Sequence, residues 1–322
     1  MQEPYFLLPT FQEKIWGGNR LKTEFNYDIP SDHTGECWAI SAHPHGLSTI
    51  MNGQYRGWTL DKLYKQHREL FGNATTDKFP LLVKILDAND DLSVQVHPDN
   101  EYAQKYEKEL GKTECWYVLK ADPGAEMIYG HNAKNKNELQ QLVLTKQWDR
   151  LLRHVPVQAG DFLYVPSGTI HAIGKGIMVI EIQQSSDSTY RLYDFDRIDP
   201  NTGQLRELHL KHALTVTNVP HVDTKLTMIE KQVGNAIVTT LLEGPYFKVD
   251  HCQINDYGTS VFNQDEMTYT LVSVIDGKGK LVVNKQDFLL HKGQHFILPS
   301  NVRQWKIEGN LECIVTQPNN KL

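Results

Sequence analysis

The sequence predicts a mainly β chain of two β-barrels carrying short helical insertions, with the first unit over residues 1–224 and the second over 225–322. Three observations predict it. Apolar runs, alternating or unbroken, lie between Gly- and Pro-rich turns, as at 81–86, 92–97, 162–165 and 177–182. Helical spacing is confined to about 58–72, 100–110 and 134–154, apart from a short segment near the end of the first unit. A Gly, five residues and a Pro occur twice, at 160–166 and again at 293–299, each enclosing an apolar run.

In chain order, the opening stretch, up to Gly57, consists of short apolar pieces punctuated by Gly and Pro, which read as short strands and turns. Trp16 and Trp38 in this stretch read as core packing. TLDKLYKQHRELF then places Leu60, Leu63, Tyr64 and Phe71 on one helical face, with Thr59 as N-cap and Gly72 at the end. Residues 81–86 form a buried strand. Residues 92–97 alternate, so Leu92, Val94 and Val96 share one face and Ser93, Gln95 and His97 the other. A helix over 100–110 with Gly111 as its cap leads into the alternating KTECWYVLKA. One or two short helices fill 134–154. The run YRLYDFDRIDPNTGQLRELHLKHALTV is a loop followed by a short helix, and from about Lys225 onward only strands and turns remain.

Composition narrows the function. The net charge of −6 offers no footprint for nucleic acid or an anionic membrane. No run reaches the roughly 18 apolar residues of a membrane span, and the N-terminus lacks the pattern of a signal peptide. Four scattered cysteines without a CxxC read as reduced thiols of a cytoplasmic protein. Partners are thus expected among small molecules; protein partners leave no signature.

Ligand-type side chains come from three separated segments. Gln95 and His97 point the same way because they are two apart on a strand. Glu114 lies on the polar face of the next strand, and His171 follows a turn made by Pro166 and Gly168. Two imidazoles and a carboxylate are the usual set for a catalytic divalent metal, to which Gln95 adds a neutral oxygen. A non-heme iron oxygenase shares that set, but its carboxylate is expected only a few positions after the histidine. Glu114 lies much farther along the chain from His97, a spacing that disfavours the oxygenase. The second unit has Asn301 and Gln304 where the first has Gly168 and His171, so no metal site is expected there, and His291 and His295 read as solvated or satisfied.

The pattern G-x5-P-x-G-x2-H at 160–171 resembles a cupin motif, which makes the expected units cupin-like (jelly-roll) barrels. LSVQVHPDN, GKTECWYVL, VPSGTIHAIGKG and EIQQSSDSTYRLYDFDR, in that order, resemble the class I mannose-6-phosphate isomerases in their short bacterial form. The resemblance spans nearly the whole chain. It implies a zinc-dependent aldose–ketose isomerase acting on hexose phosphates, with one Zn2+ on Gln95, His97, Glu114 and His171. It further implies Arg191 as the essential arginine, Ser93 and Lys84 as substrate contacts, and Lys112 and Glu181 as the remaining catalytic groups. Either of those two could transfer the proton. The interval between Glu114 and His171 is short, so the large helical insertion of longer members is missing there and the phosphate ligands stay unassigned. The alternative is a non-catalytic sugar-binding or regulatory cupin paralogue.

Overall fold

The computed structural model describes residues 2–200 and 202–319. Three antiparallel sheets hold most of its strands. A six-stranded sheet runs, edge to edge, Phe162–Val165, Glu114–Ala121, Ile177–Gln184, Leu81–Ala88, Thr34–Ile40 and Thr10–Gly18. A five-stranded sheet runs Leu152–Pro156, Glu126–His131, His171–Ala172, Val94–Val96 and Tyr190–Tyr193. The nine-stranded sheet gathers the strands from Ile229 onward and adds Tyr5–Leu8 and Thr49–Ile50 at its edge. Tyr5 thereby pairs with Ile297, so the beginning of the chain completes the C-terminal sheet.

The six-stranded sheet is covered on both faces, and its sequence shows why. Every residue of Leu81–Ala88 and of Ile177–Gln184 is buried. Side chains alternate between faces. On one face Val83, Ile85, Ile180, Ile182 and Cys115 enter a core with Phe247, Leu271 and Ile297 of the nine-stranded sheet. On the other, Leu86, Val179, Val118 and Trp116 pack with Met127 and Ile173, which belong to or follow the five-stranded sheet. Lys84 and Glu181 lie on this second face, two residues from Leu86 and Val179, which puts two charges into a covered layer. The five-stranded sheet turns Val94, Val96, Ala172 and Leu192 outward into a third core closed by Leu139 and Leu142 of helix Lys136–Leu144 and by Ala213 of helix Leu210–Val216.

Helices fall near the expected places, with corrections at their ends. The first expected helix is Leu60–Gln66 followed by a 3-10 turn, Arg68–Phe71, and Gly72 ends it in the left-handed region. Thr59 occupies the cap position but its side chain makes no capping bond. The second helix stops at Tyr106, so Gly111 is not its cap; Asp99 caps its start, accepting from Tyr102 N at 2.8 Å. A helix at Arg20–Phe25 was not expected from the sequence. No described helix is long and apolar enough to cross a membrane. Gly168 of the turn before His171 has φ +84, and a Cβ there would sit 2.4 Å from Asn218, so both backbone and space require glycine.

Candidate active site

The two sheets that face each other each contribute one row of side chains. In the five-stranded sheet Gln95 pairs with His171 on one side and with Arg191 on the other, so Arg191, Gln95 and His171 form a row across three adjacent strands. In the six-stranded sheet Trp38, Lys84, Glu181 and Trp116 form a second row, with Glu114 two residues from Trp116 on the same face.

His97, Glu114 and His171 meet between the sheets, their ligand atoms all within 4.8 Å of one another and all three residues buried. His171 Nδ1 bonds the Thr169 carbonyl at 2.8 Å, which leaves Nε2 with a lone pair. His97 Nε2 faces that nitrogen at 3.2 Å and accepts from Lys112 Nζ at 3.1 Å. Burial pushes both imidazole pKa values down, His171 to about 4, and Lys112 adds to the effect on each, so both rings are neutral at pH 7. Neither oxygen of Glu114 receives a hydrogen bond, although the residue is fully buried and Lys112 Nζ lies 3.1 Å from Oε2. The Lys112 ammonium reaches His97 and Glu114 Oε2 only, so the His171 Nε2 lone pair and the buried Glu114 Oε1 are left without a donor, which a further cation among the three ligands would satisfy. The donor set therefore fits a divalent metal.

A cavity of about 240 Å³ lined by Lys84, Ser93, Gln95, Lys112, Glu181 and Arg191 adjoins this cluster through Lys112. The structure thus brings every sequence-derived site residue either into the cavity or into the adjoining cluster. Glu181 accepts from Trp116 Nε1 at 3.0 Å through Oε2, and its buried Oε1 has no hydrogen bond. Burial, reinforced by Glu114, raises its pKa. Lys84 lies 3.6 Å from Glu36 and 3.7 Å from Glu181, and these carboxylates outweigh burial to raise its pKa. Arg191 makes no ion pair with Asp194; it donates to the Glu207 carbonyl at 2.8 Å, and its Nε is buried without a partner among the described residues.

Other lining residues escaped the sequence reading. Glu36 is 8% exposed, accepts from Trp38 Nε1 at 2.6 Å and faces Lys14 at 3.3 Å. Burial would raise its pKa, but Lys84 and Lys14 outweigh it and hold the carboxyl at about 2. Its signal was a charged residue in step with Trp38 on a strand of otherwise small and apolar residues. Trp16, Asp187, Thr189 and Arg206 also line the cavity. The loop that carries Asp187 is fastened by Glu109, whose Oε2 accepts from Ser186 Oγ (3.0 Å), Asp187 N (3.2 Å) and Ser188 Oγ (3.0 Å). His45 bonds the Asp187 carboxylate at 2.9 Å. In the C-terminal sheet, the two ring nitrogens of His295 meet Tyr27 Oη at 2.7 Å and Ser273 Oγ at 2.9 Å, so that histidine is satisfied.

Comparison with known proteins places this arrangement. Residues 5–148 match the model of the phosphomannose isomerase type I catalytic domain, and residues 237–318 that of the mannose-6-phosphate isomerase cupin domain. The mannose-6-phosphate isomerase of Streptococcus mutans is 54% identical over 99% of each chain. The chain belongs to the type I phosphomannose isomerase family. A second family member, from Bacillus subtilis, is 50% identical over 98% of each chain. The crystal structure of a mannose 6-phosphate isomerase from Bacillus subtilis superposes with a TM-score of 0.95 at 48% identity, covering 98% of this chain and 99% of that one. The mainly β architecture with a cupin domain is thus that of the type I phosphomannose isomerases.

Proposed function

We propose that the chain is a zinc-dependent aldose–ketose isomerase that interconverts D-mannose 6-phosphate and D-fructose 6-phosphate through a cis-enediol. The observation that carries this reading is a cavity whose wall residue Lys112 touches both His97 and Glu114 of the buried cluster, each at 3.1 Å. It is supported by full-length identity of about half to proteins named for that reaction. Residues 1–224 would form the catalytic unit and 225–322 a second barrel without a metal site. The four free, buried cysteines suit the cytoplasm.

Gln95, His97, Glu114 and His171 would hold one zinc ion, which would supply Lewis acidity to the bound sugar. The chain's own residues do the rest. Glu181 takes the C2 proton of the aldose and returns it to C1, with Oε2 fixed by Trp116 and Oε1 free to work. Arg191 balances the negative charge of the enediolate. Lys112, wedged against His97 and Glu114, is the competing candidate for the base. Lys84 and Ser93 hold substrate hydroxyls. A coupled assay for fructose 6-phosphate formed from mannose 6-phosphate tests the reading. Turnover that depends on zinc is the expected result, and a folded, zinc-loaded protein inactive on every hexose phosphate would instead be a non-catalytic paralogue.

A further inference from the structure

Among the charged residues of the cavity that the mechanism leaves unused, Lys14, Glu36, Asp187 and Arg206, only Arg206 stands beside Arg191 with an open donor edge. Arg206 lines the same cavity as Arg191, and its side chain is only 17% exposed. Asp194, whose side chain is 5% exposed, grips one edge of the guanidinium, accepting from Nε at 2.7 Å and from Nη2 at 2.5 Å. Nη1 has no partner among the described residues. Asp194 does not belong to Arg206 alone: it also accepts from Arg197 Nη2 at 2.7 Å, and Arg197 turns away to the Asp91 carbonyl. Asp194 therefore serves two guanidinium groups, and Arg197 has Asp90 at 3.4 Å as a further carboxylate partner.

The remaining carboxylates of the cavity are engaged elsewhere. Glu36 faces Lys14 and Lys84, Glu181 faces Lys84, and Asp187 bonds His45. Arg191 has a carbonyl and no carboxylate as its partner. At this end of the cavity Arg191 and Arg206 thus lie close together, Arg191 has no carboxylate in contact, and Asp194 and Glu207 offset its charge only from a distance. Arg206 lowers the pKa of Arg191 along with burial, which shows the two charges close enough to repel. A half-buried guanidinium braced on one edge and open on the other presents a fixed donor pair to an anion, the geometry that suits phosphate.

Position fits the same conclusion. Gln95 separates His171 from Arg191, so the metal-ligating end and the arginine end of the row lie two strand spacings apart, about 10 Å. We propose that Arg206 is the phosphate-binding residue of the site, taking the dianionic 6-phosphate at the far side of Arg191 while the sugar's C1 and C2 lie over the His97, Glu114 and His171 cluster. This rests on the isomerase reading above. Asp194 acts as the brace that aims the guanidinium.

The test is Arg206→Leu. The Michaelis constant for mannose 6-phosphate should rise by about 10- to 100-fold, the range for a hydrogen bond to a charged group, while kcat changes by less than about threefold because the residue holds a part of the substrate that does not react. Arg206→Lys should recover part of the loss. Calorimetric binding of inorganic phosphate to the zinc-loaded protein should weaken at least about tenfold in Arg206→Leu. This measurement separates the inference from the isomerase reading: a wild type inactive on mannose 6-phosphate overturns the reading, whereas phosphate binding equal in the two proteins overturns the subsite. A loss of kcat with an unchanged Michaelis constant would also overturn it, since a structural brace behaves that way. Should Arg206→Leu not fold, Arg206→Gln, which keeps a donor for Asp194, is read by the same two measurements.

Discussion

His171 and Arg191 lie on separate strands of one sheet, yet both stand opposite the same residue, Gln95, one on each side of its strand. Residues that pair across adjacent strands point to the same face, so an imidazole of the candidate metal cluster, a neutral amide and a guanidinium form one line along the cavity. The line gives the site a direction, from the His97, Glu114 and His171 cluster to the positively charged end.

Arg191→Ala should lower kcat by about 10²–10³, the usual loss for a donor that serves transition-state charge. Zinc content should not change, because Arg191 pairs with Gln95 through the strand backbone and its side chain donates to the Glu207 carbonyl, not to a proposed ligand. Steady-state kinetics with metal analysis checks this. A near-normal kcat in a folded, zinc-loaded variant would make the arginine structural.

The proton-transfer group can be identified by exchange of the substrate C2 hydrogen with solvent. Glu181→Gln keeps the acceptor for Trp116 Nε1 and should still bind zinc and substrate, but exchange should stop. Lys112→Met should keep measurable exchange. The reverse pair of outcomes would assign the base to Lys112.

Metal removal should abolish turnover without unfolding the chain. The cluster is held by strands whose apolar rows enter large cores independent of any ion. A chelator should therefore lower the melting temperature, since metal binds only the folded state, and leave the far-UV circular dichroism spectrum unchanged. His97→Ala and His171→Ala should behave like the chelated protein. Loss of the β spectrum on chelation would show that the metal is part of the fold.

Acid should weaken the protein through Glu36. Its folded-state pKa, held at about 2 by Lys84, Lys14 and Trp38 against the effect of burial, lies below its ordinary value of 4.5. The stabilisation from this group is complete above about pH 4.5 and is lost as the pH falls toward 2, because the unfolded chain takes up the proton first. Lys84 stays charged throughout this window, since its pKa is raised. The loss amounts to the order of 3 kcal/mol. Urea titrations between pH 2 and 6 should show the slope in the wild type and a flatter limb in Glu36→Gln. Parallel limbs would mean that another group governs the acid transition.

Much of this site was legible because strands write their faces into the sequence. Gln95 with His97 and Lys112 with Glu114 are two residues apart, and a period of two forces each pair onto one face. The motif around His171 was legible for a similar local reason, since Gly168 needs a backbone that only glycine adopts readily. Glu36 and Arg206 were harder to see. Glu36 sits among small and apolar residues with nothing nearby in sequence to pair it, and its partners Lys14 and Lys84 come from strands on either side. Arg206 lies in a loop whose course depends on Asp194, twelve residues earlier.

By itself the sequence determined the strand faces, the turns that glycine and proline impose, and which side chains could share a metal. These follow from local backbone geometry, which each short segment carries with it. The tertiary structure alone decided which charges compensate one another. It set Lys84 between Glu36 and Glu181, gave Asp194 to Arg197 and Arg206 and not to Arg191, and used residues 5–8 to finish a sheet made from the other end of the chain. Those choices depend on strand order and on distances of a few ångströms between segments far apart in sequence, and Coulomb and hydrogen-bond energies in a buried layer are strong at contact and weaken over such distances.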